Sequence, residues 1–208
     1  MISVLDQLAS ALGRNDERPN VELAEKLATS GDKAAIAVLV SALSTAAMPI
    51  QNDAIKALYE IGERRPALVA PHVDAVLALL TSRNNRNVWG ALTAIDTVTP
   101  LAAKTIAGHL DAILAAAEKG SVIAKDRAVS ILAKLASAGF ADKTVPILLA
   151  MLKTAAVNQL PMYAEITAPV IAAAHMAAFR AVLEKRLPGI PQPAKRGRIE
   201  KVLRQLGS

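Results

Sequence analysis

The sequence predicts an all-α fold of the α-solenoid type, a stack of helical hairpins, and three observations carry that prediction. The chain repeats itself at an offset of 37 residues, its apolar residues recur at helical spacing, and its composition is rich in Ala, Leu, Val and Ile. Hydrophobic residues make up 53% of the 208, yet aromatic residues only 2%. Alanine has the best helix propensity and lets helix axes approach, so such a composition favours closely packed helices.

The repeat is read directly from the letters. "PHVDAVLALL" from Pro71 and "GHLDAILAAA" from Gly108 align with His72 over His109, Asp74 over Asp111, Val76 over Ile113 and Leu77 over Leu114. "QNDAIKALYEI", "VWGALTAIDTV" and "KDRAVSILAKL", from Gln51, Val88 and Lys125, keep the same offset without a gap. Ala54, Ala91 and Ala128 coincide, then Leu58, Ile95 and Leu132, then Ile61, Val98 and Leu135. Further back, Ile36, Leu39, Val40 and Leu43 fall under Val73, Val76, Leu77 and Leu80.

Within each unit the apolar spacing of three, four and seven is that of an amphipathic helix. Breakers stand where helices should end: Gly31, Pro49, Pro66, Pro71, Pro100, Gly120, Gly139, Pro161, Pro188 and Pro191. Asp32, Ser121 and Asp142 are expected N-caps. The pattern gives ten or eleven helices in antiparallel pairs, about five hairpins stacked into a right-handed superhelix. We expect one domain over 1–208, its clearest repeats over 48–155, and a basic capping helix over 193–206 carrying Ile199, Val202, Leu203 and Leu206 at helical spacing.

The chain has no cysteine, which excludes disulfides, thiol catalysis and Cys-based zinc sites. "MISVLDQLASALG" lacks a basic stretch and carries Asp6, unlike a signal peptide, and no uninterrupted apolar run approaches a membrane span. The expectation is a cytoplasmic protein with no membrane partner. Net charge is +6. From Glu184 onward seven Lys and Arg face two Glu, a net of +5 that leaves about +1 for the preceding body.

The stretch "PHVDAVLALLTSRNNRNVWGALTAIDTV" resembles a HEAT repeat: a first helix opening near Pro71, a polar turn, then Val-x-x-Ala-Leu-x-Ala-Ile on the second helix. The resemblance covers roughly residues 20–185 and includes HEAT-repeat proteins of bacteria and archaea whose function is unassigned. It implies a binding scaffold whose second helices line a concave face. Where the family commonly has an Arg after the Val, forming a polar ladder between repeats, this chain has Asn52, Trp89 and Asp126. The family's ladder is therefore expected to be missing.

The repeated His-x-Asp pairs, His72 with Asp74 and His109 with Asp111, suggest metal ligands, but equivalent positions of stacked helices lie about 8–10 Å apart. Two such histidines cannot both stand about 2 Å from one zinc ion. They read instead as polar residues near helix starts, and His175 as a helix residue in an Ala-rich run. No phosphate loop, nucleophile elbow or His-Glu-x-x-His pattern occurs. No cofactor, no metal and no catalytic residue are expected.

The candidate site is a stripe on the second helices, opposite the buried Ala91, Leu92, Ala94, Ile95 and Val98. It comprises Asn52, Lys56, Tyr59, Trp89, Thr93, Asp96, Arg127 and Ser130, with Asp126, Ala133 and Lys134 alongside. A Trp and a Tyr among hydrogen-bonding groups are the composition of a protein- or peptide-binding hot spot. The competing reading has Trp89 lean back over its own N-terminal turn and fill the seam between repeats. A nucleic-acid role would use Arg83, Arg86, Lys195, Arg196 and Arg198, unless the basic tail only caps the stack. HEAT-like glycosylases for alkylated bases place tryptophans and an acid on this face. Trp89 and Asp96 match in spacing, but five aromatics and a near-neutral body offer no base platform or basic channel.

Overall fold

The computed structural model describes residues 3–206, so the two outermost residues at each end of the expected domain lie outside the described residues. Regular structure among these residues is entirely helical. The elements are α1 Arg18–Ser30, α2 Lys33–Thr45, α3 Met48–Arg64, α4 Pro66–Val69, α5 Val73–Leu77, α6 Asn85–Val98, α7 Ala103–Gly108, α8 Leu110–Lys119 and α9 Val122–Leu135. They continue with α10 Ala141–Thr154, α11 Leu160–Thr167, α12 Ala173–Arg186 and α13 Pro193–Gln205.

Short 3₁₀ segments join α4 to α5 and extend α5 to Thr81, so residues 66–81 form one kinked helix, as do 103–119. Counted this way, the described residues hold eleven helical segments of at least two turns, in the alternation the spacing predicts. Both kinks fall at the same place in the repeat. Pro71 has no N–H to donate and Gly108 lacks a side chain, so neither sustains the helix. His72 (φ −109°, ψ 15°) and His109 (φ −110°, ψ 18°) then adopt one backbone conformation as the caps of α5 and α8. Asp74 and Asp111 follow in the first turn, where the helix dipole favours a carboxylate. The His-x-Asp repeat is thus a structural restart. The His109 ring Nδ1 sits 3.0 Å from the Thr105 carbonyl, which can only accept, so that nitrogen carries the proton.

Caps follow local chemistry. Asp32 accepts from Ala35 N at 3.0 Å, as expected, and Gly31 closes α1 in the left-handed region at φ 71°. Asp142 does not cap α10. Phe140 holds that position and Asp142 lies in the first turn.

Contacts divide the chain into two compact units, Met1–Ala128 and Val129–Ser208, with the division inside α9. In the first unit α1, α3 and α6 pack side by side as one row, and α2, then the kinked helix 66–81, form a second layer against it. Ala54, Leu58, Ile61, Ala91, Ile95, Val98, Ala128, Leu132 and Leu135, the nine aligned positions, are all at most 1% exposed. In the second unit α10 packs on α12 and α11 on α13. Ile199 and Val202 of α13 are buried there, giving the last helix an apolar face to seal.

Residues 122–154 form a 33-residue helical stretch whose most apolar window has a mean hydropathy of 1.4, with 39% of it buried in the fold. It breaks at Gly139, φ 95°. Neither α9 nor α10, at 14 residues each, reaches the roughly 20 that a span needs.

Candidate partner-binding face

The row of α1, α3 and α6 carries a line of side-chain contacts that begins at the helix starts. Asn20 on α1 accepts from Ala9 N at 2.9 Å and donates to Asp53 Oδ1 at 2.8 Å, while Ser10 N donates to Asp53 Oδ2 at 2.7 Å. On the other side of α3, Asn87 donates to Gln51 Oε1 at 3.0 Å and Asn84 to Asn52 Oδ1 at 2.6 Å. In place of an Arg ladder, a different row of polar contacts joins these helices. Amides and one carboxylate, with Asn52 at the position where HEAT repeats commonly have Arg, tie α1 to α3 and α3 to α6.

One turn further along, charges pair within the row. Lys56 Nζ stands 2.7 Å from Glu60 Oε1, 3.3 Å from Glu17 Oε2 and 4.7 Å from the Tyr59 ring centre. Arg64 reaches Glu60 Oε2 at 2.6 Å, and Arg86 bonds Glu17. Burial works against the Lys56 ammonium, but the Glu60 carboxylate and Tyr59 hydroxyl outweigh it and hold its pKa above the ordinary lysine range. Burial likewise opposes Glu60 ionisation, yet Lys56 and Arg64 pull its pKa below the usual carboxylate value. Burial raises the Tyr59 phenol, against the pull of Lys56.

Trp89 meets both readings in part. Its ring centre lies 6.0 Å from that of Tyr59 at an interplanar angle of 50°, a tilted aromatic contact across the α3–α6 seam. Its other side lines a cleft of about 90 Å³ with Asn85, Val88, Lys119, Gly120, Ser121 and Ala124. It is partly exposed. The side chain fills the seam and still offers an edge to solvent.

Much of the predicted stripe lies inside. Thr93 is 2% exposed, Asp96 3% and Tyr59 7%, and Ala133 of the second unit is buried as well. Thr93 donates to the Trp89 carbonyl at 2.9 Å, and Arg127 Nη1 lies 3.2 Å from Asp96 Oδ2. The reason is position: α6 has α3 on one flank and the kinked helix 66–81 behind it, so little of its circumference stays open. Asn52, Lys56, Trp89 and Arg127 remain partly exposed on the first unit, and Ser130 is partly exposed on the second. The pairing of Trp89 with an accessible Asp96, which a base-excision site requires, does not occur.

The basic candidates are mostly engaged at home. Arg86 binds Glu17, Lys195 binds Asn158, Arg196 donates to the Ile190 carbonyl at 2.9 Å, and Arg198 Nε to Glu165 Oε1 at 2.8 Å. Arg198 lowers the Glu165 pKa, and Glu165 raises that of Arg198. Arg83 is exposed. Among the described residues no three His, Asp or Glu side chains gather into a metal-sized group. Glu17, Glu60, Arg64, Asn84 and Asn87 complete the face although the stripe did not include them. Lys56, Glu60 and Arg64 announce themselves by their spacing of four, whereas Glu17 is brought in only by the fold.

No family model matches the chain, and no curated protein matches it either. Solved structures do. An engineered protein superimposes with a TM-score of 0.65 at 21% identity, over 100% of this chain and 97% of that one. A designed armadillo repeat protein in complex with the peptide (KR)4 does so with a TM-score of 0.65 at 17% identity, over 97% and 99%. A second engineered protein gives 0.63 at 21% identity, with 98% of this chain on 58% of that one. The chain thus has an all-α helical-repeat fold of the α-solenoid class.

Proposed function

We propose that the protein is a non-catalytic, HEAT-like repeat scaffold that holds an extended peptide segment of a partner protein along α1, α3 and α6. The observation that carries this reading is the Tyr59–Trp89 pair. One aromatic is buried and fixes the other, whose partly exposed ring shares a cleft with Asn85, Lys119 and Ser121. A rigid, pre-positioned aromatic anchor ringed by hydrogen-bonding groups is how interfaces concentrate binding energy. The likeness to a designed repeat protein that holds a peptide supports the same use of the fold. The ligand differs in kind. Here Glu17, Glu60 and Asp96 are already matched by Arg86, Lys56, Arg64 and Arg127, so the row has no surplus of acid for a strongly basic peptide.

Trp89 is the sole tryptophan, so its emission reports on the site directly. A displayed library of extended 12-residue peptides is selected against the full chain; the recovered peptides are titrated by calorimetry into wild type and variants, and Trp89 fluorescence is followed in the wild type. Peptides that shift the emission and lose about tenfold or more in affinity with Trp89→Ala, with partial recovery in Trp89→Phe, support the reading. Peptides that bind Trp89→Ala as well as wild type would refute it.

A further inference from the structure

The second unit holds an opening that this reading does not use. Leu149 and Lys153 of α10 and Ala178, Ala181, Val182, Lys185 and Arg186 of α12 line a groove of about 430 Å³. Its body is apolar. Phe179 and Leu183 take the core side of α12 and are 0% exposed, which leaves Ala178 and Ala181 facing out. With Ala174 they follow the four-and-three spacing of a single helical stripe. Alanines let a docking helix come close, because nothing longer than a methyl group separates the axes.

One end of the groove is cationic, since Lys153 and Lys185 stand in the last turns of α10 and α12. Arg186 donates to the carbonyls of Leu152 (2.8 Å), Lys153 (2.7 Å) and Ala155 (2.6 Å), so its fork already caps α10. Neither the Lys153 nor the Lys185 ammonium has an ion-pair or hydrogen-bond partner among the described residues, and both side chains are exposed. The charge around them is lopsided. Residues 129–208 carry eleven Lys and Arg against four Asp and Glu, a net of +7, whereas residues 1–128 carry thirteen against fourteen, a net of −1. The second unit thus accounts for more than the whole net charge of the chain.

We infer that this groove docks an amphipathic helix of a partner protein, its apolar stripe on Leu149, Ala178, Ala181 and Val182 and its carboxylates on Lys153 and Lys185. Helix-in-groove recognition needs an apolar floor at helical spacing and a charge to fix direction, and both are present. A nucleic acid fits less well because the lining has no aromatic platform for bases. An acyl chain would stay wet, since four of the seven lining residues are exposed. A second copy of this chain would bring another unit of net +7 against the first.

The test uses the full chain and a synthetic 18-residue helical peptide with Leu at positions i, i+4, i+7 and i+11 and Glu beside the stripe at one end. A twin peptide has Lys for Glu. Vesicles of anionic phospholipid and a DNA duplex serve as further probes. Heteronuclear NMR titration is expected to shift α10 and α12 resonances with the acidic peptide only. Lys153→Glu with Lys185→Glu should weaken binding about tenfold or more and recover it for the Lys twin. Ala181→Gln narrows the groove without altering charge and should weaken the acidic peptide, while Trp89→Ala should leave it unchanged. Equal binding of both peptides, indifference to Ala181→Gln, or lysine-dependent binding of vesicles or DNA with no response to the peptide would overturn the proposal.

Discussion

Gly62 of α3 faces Thr97 of α6 so closely that a Cβ on the glycine would stand 2.2 Å from the threonine hydroxyl. The two helices lie together along their length. At the other end of the contact, a Cβ on Gly90 would meet Ile55 Cγ1 at 3.0 Å. This close approach sets the geometry of the row and brings Tyr59 within reach of Trp89.

Replacing a helix-interior glycine by alanine ordinarily stabilises by about 0.5–1 kcal/mol. Gly62→Ala should do the reverse. The Thr97 hydroxyl donates to the Ala94 carbonyl at 2.7 Å and cannot swing away without losing that bond. Overpacking of this kind costs about 1–3 kcal/mol. Chemical denaturation should show a lowered midpoint for Gly62→Ala and recovery when Thr97→Ala is added. An additive double variant would show that the two sites do not meet.

Glu60 gives the fold an acid-sensitive limb. Its folded pKa lies below the unfolded value, so its contribution is complete above the unfolded value near 4.5 and fades as pH falls through the folded one. Stability measured from pH 7 down to pH 2 should decline more shallowly in Glu60→Gln than in wild type. Parallel curves would place the acid sensitivity elsewhere. Lys56 acts in the opposite sense, because its folded pKa is raised. Its contribution is lost only as pH climbs through that raised value, beyond the neutral range.

Arg186 ties the end of α10 to α12 through three carbonyls. Arg186→Ala leaves them without that partner and should cost about 1–3 kcal/mol. Arg186→Lys should recover little, since one ammonium cannot reproduce a planar fork. Faster amide exchange confined to the last turn of α10 is the signature. Unchanged exchange there would reduce this contact to surface decoration.

What the sequence makes legible is what the repeat makes redundant. Ala54, Leu58 and Ile61 recur as Ala91, Ile95 and Val98, and the same spacing that revealed them puts all six in the core. The face was harder. Periodicity within α6 divides its residues into two sides, but it carries no information about how many neighbours surround the helix. Thr93 and Asp96 were therefore expected outside and lie within. Arg198 and Lys195 read as candidate nucleic-acid contacts on the capping helix because their partners, Glu165 and Asn158, stand 33 and 37 residues earlier. The groove on α12 is hidden in the sequence for a related reason: with five alanines among its fourteen residues, the helix shows little contrast between its sides.

The matched backbone at His72 and His109 has one more consequence. Each histidine stands at the same joint of an interchangeable part, so the 37 residues from one joint to the next form a transferable segment. A second copy of residues 72–108, spliced in ahead of His109, would meet at both seams the kind of junction that already exists there. Such a chain could be lengthened by whole segments, and its stability should then rise in steps with segment number.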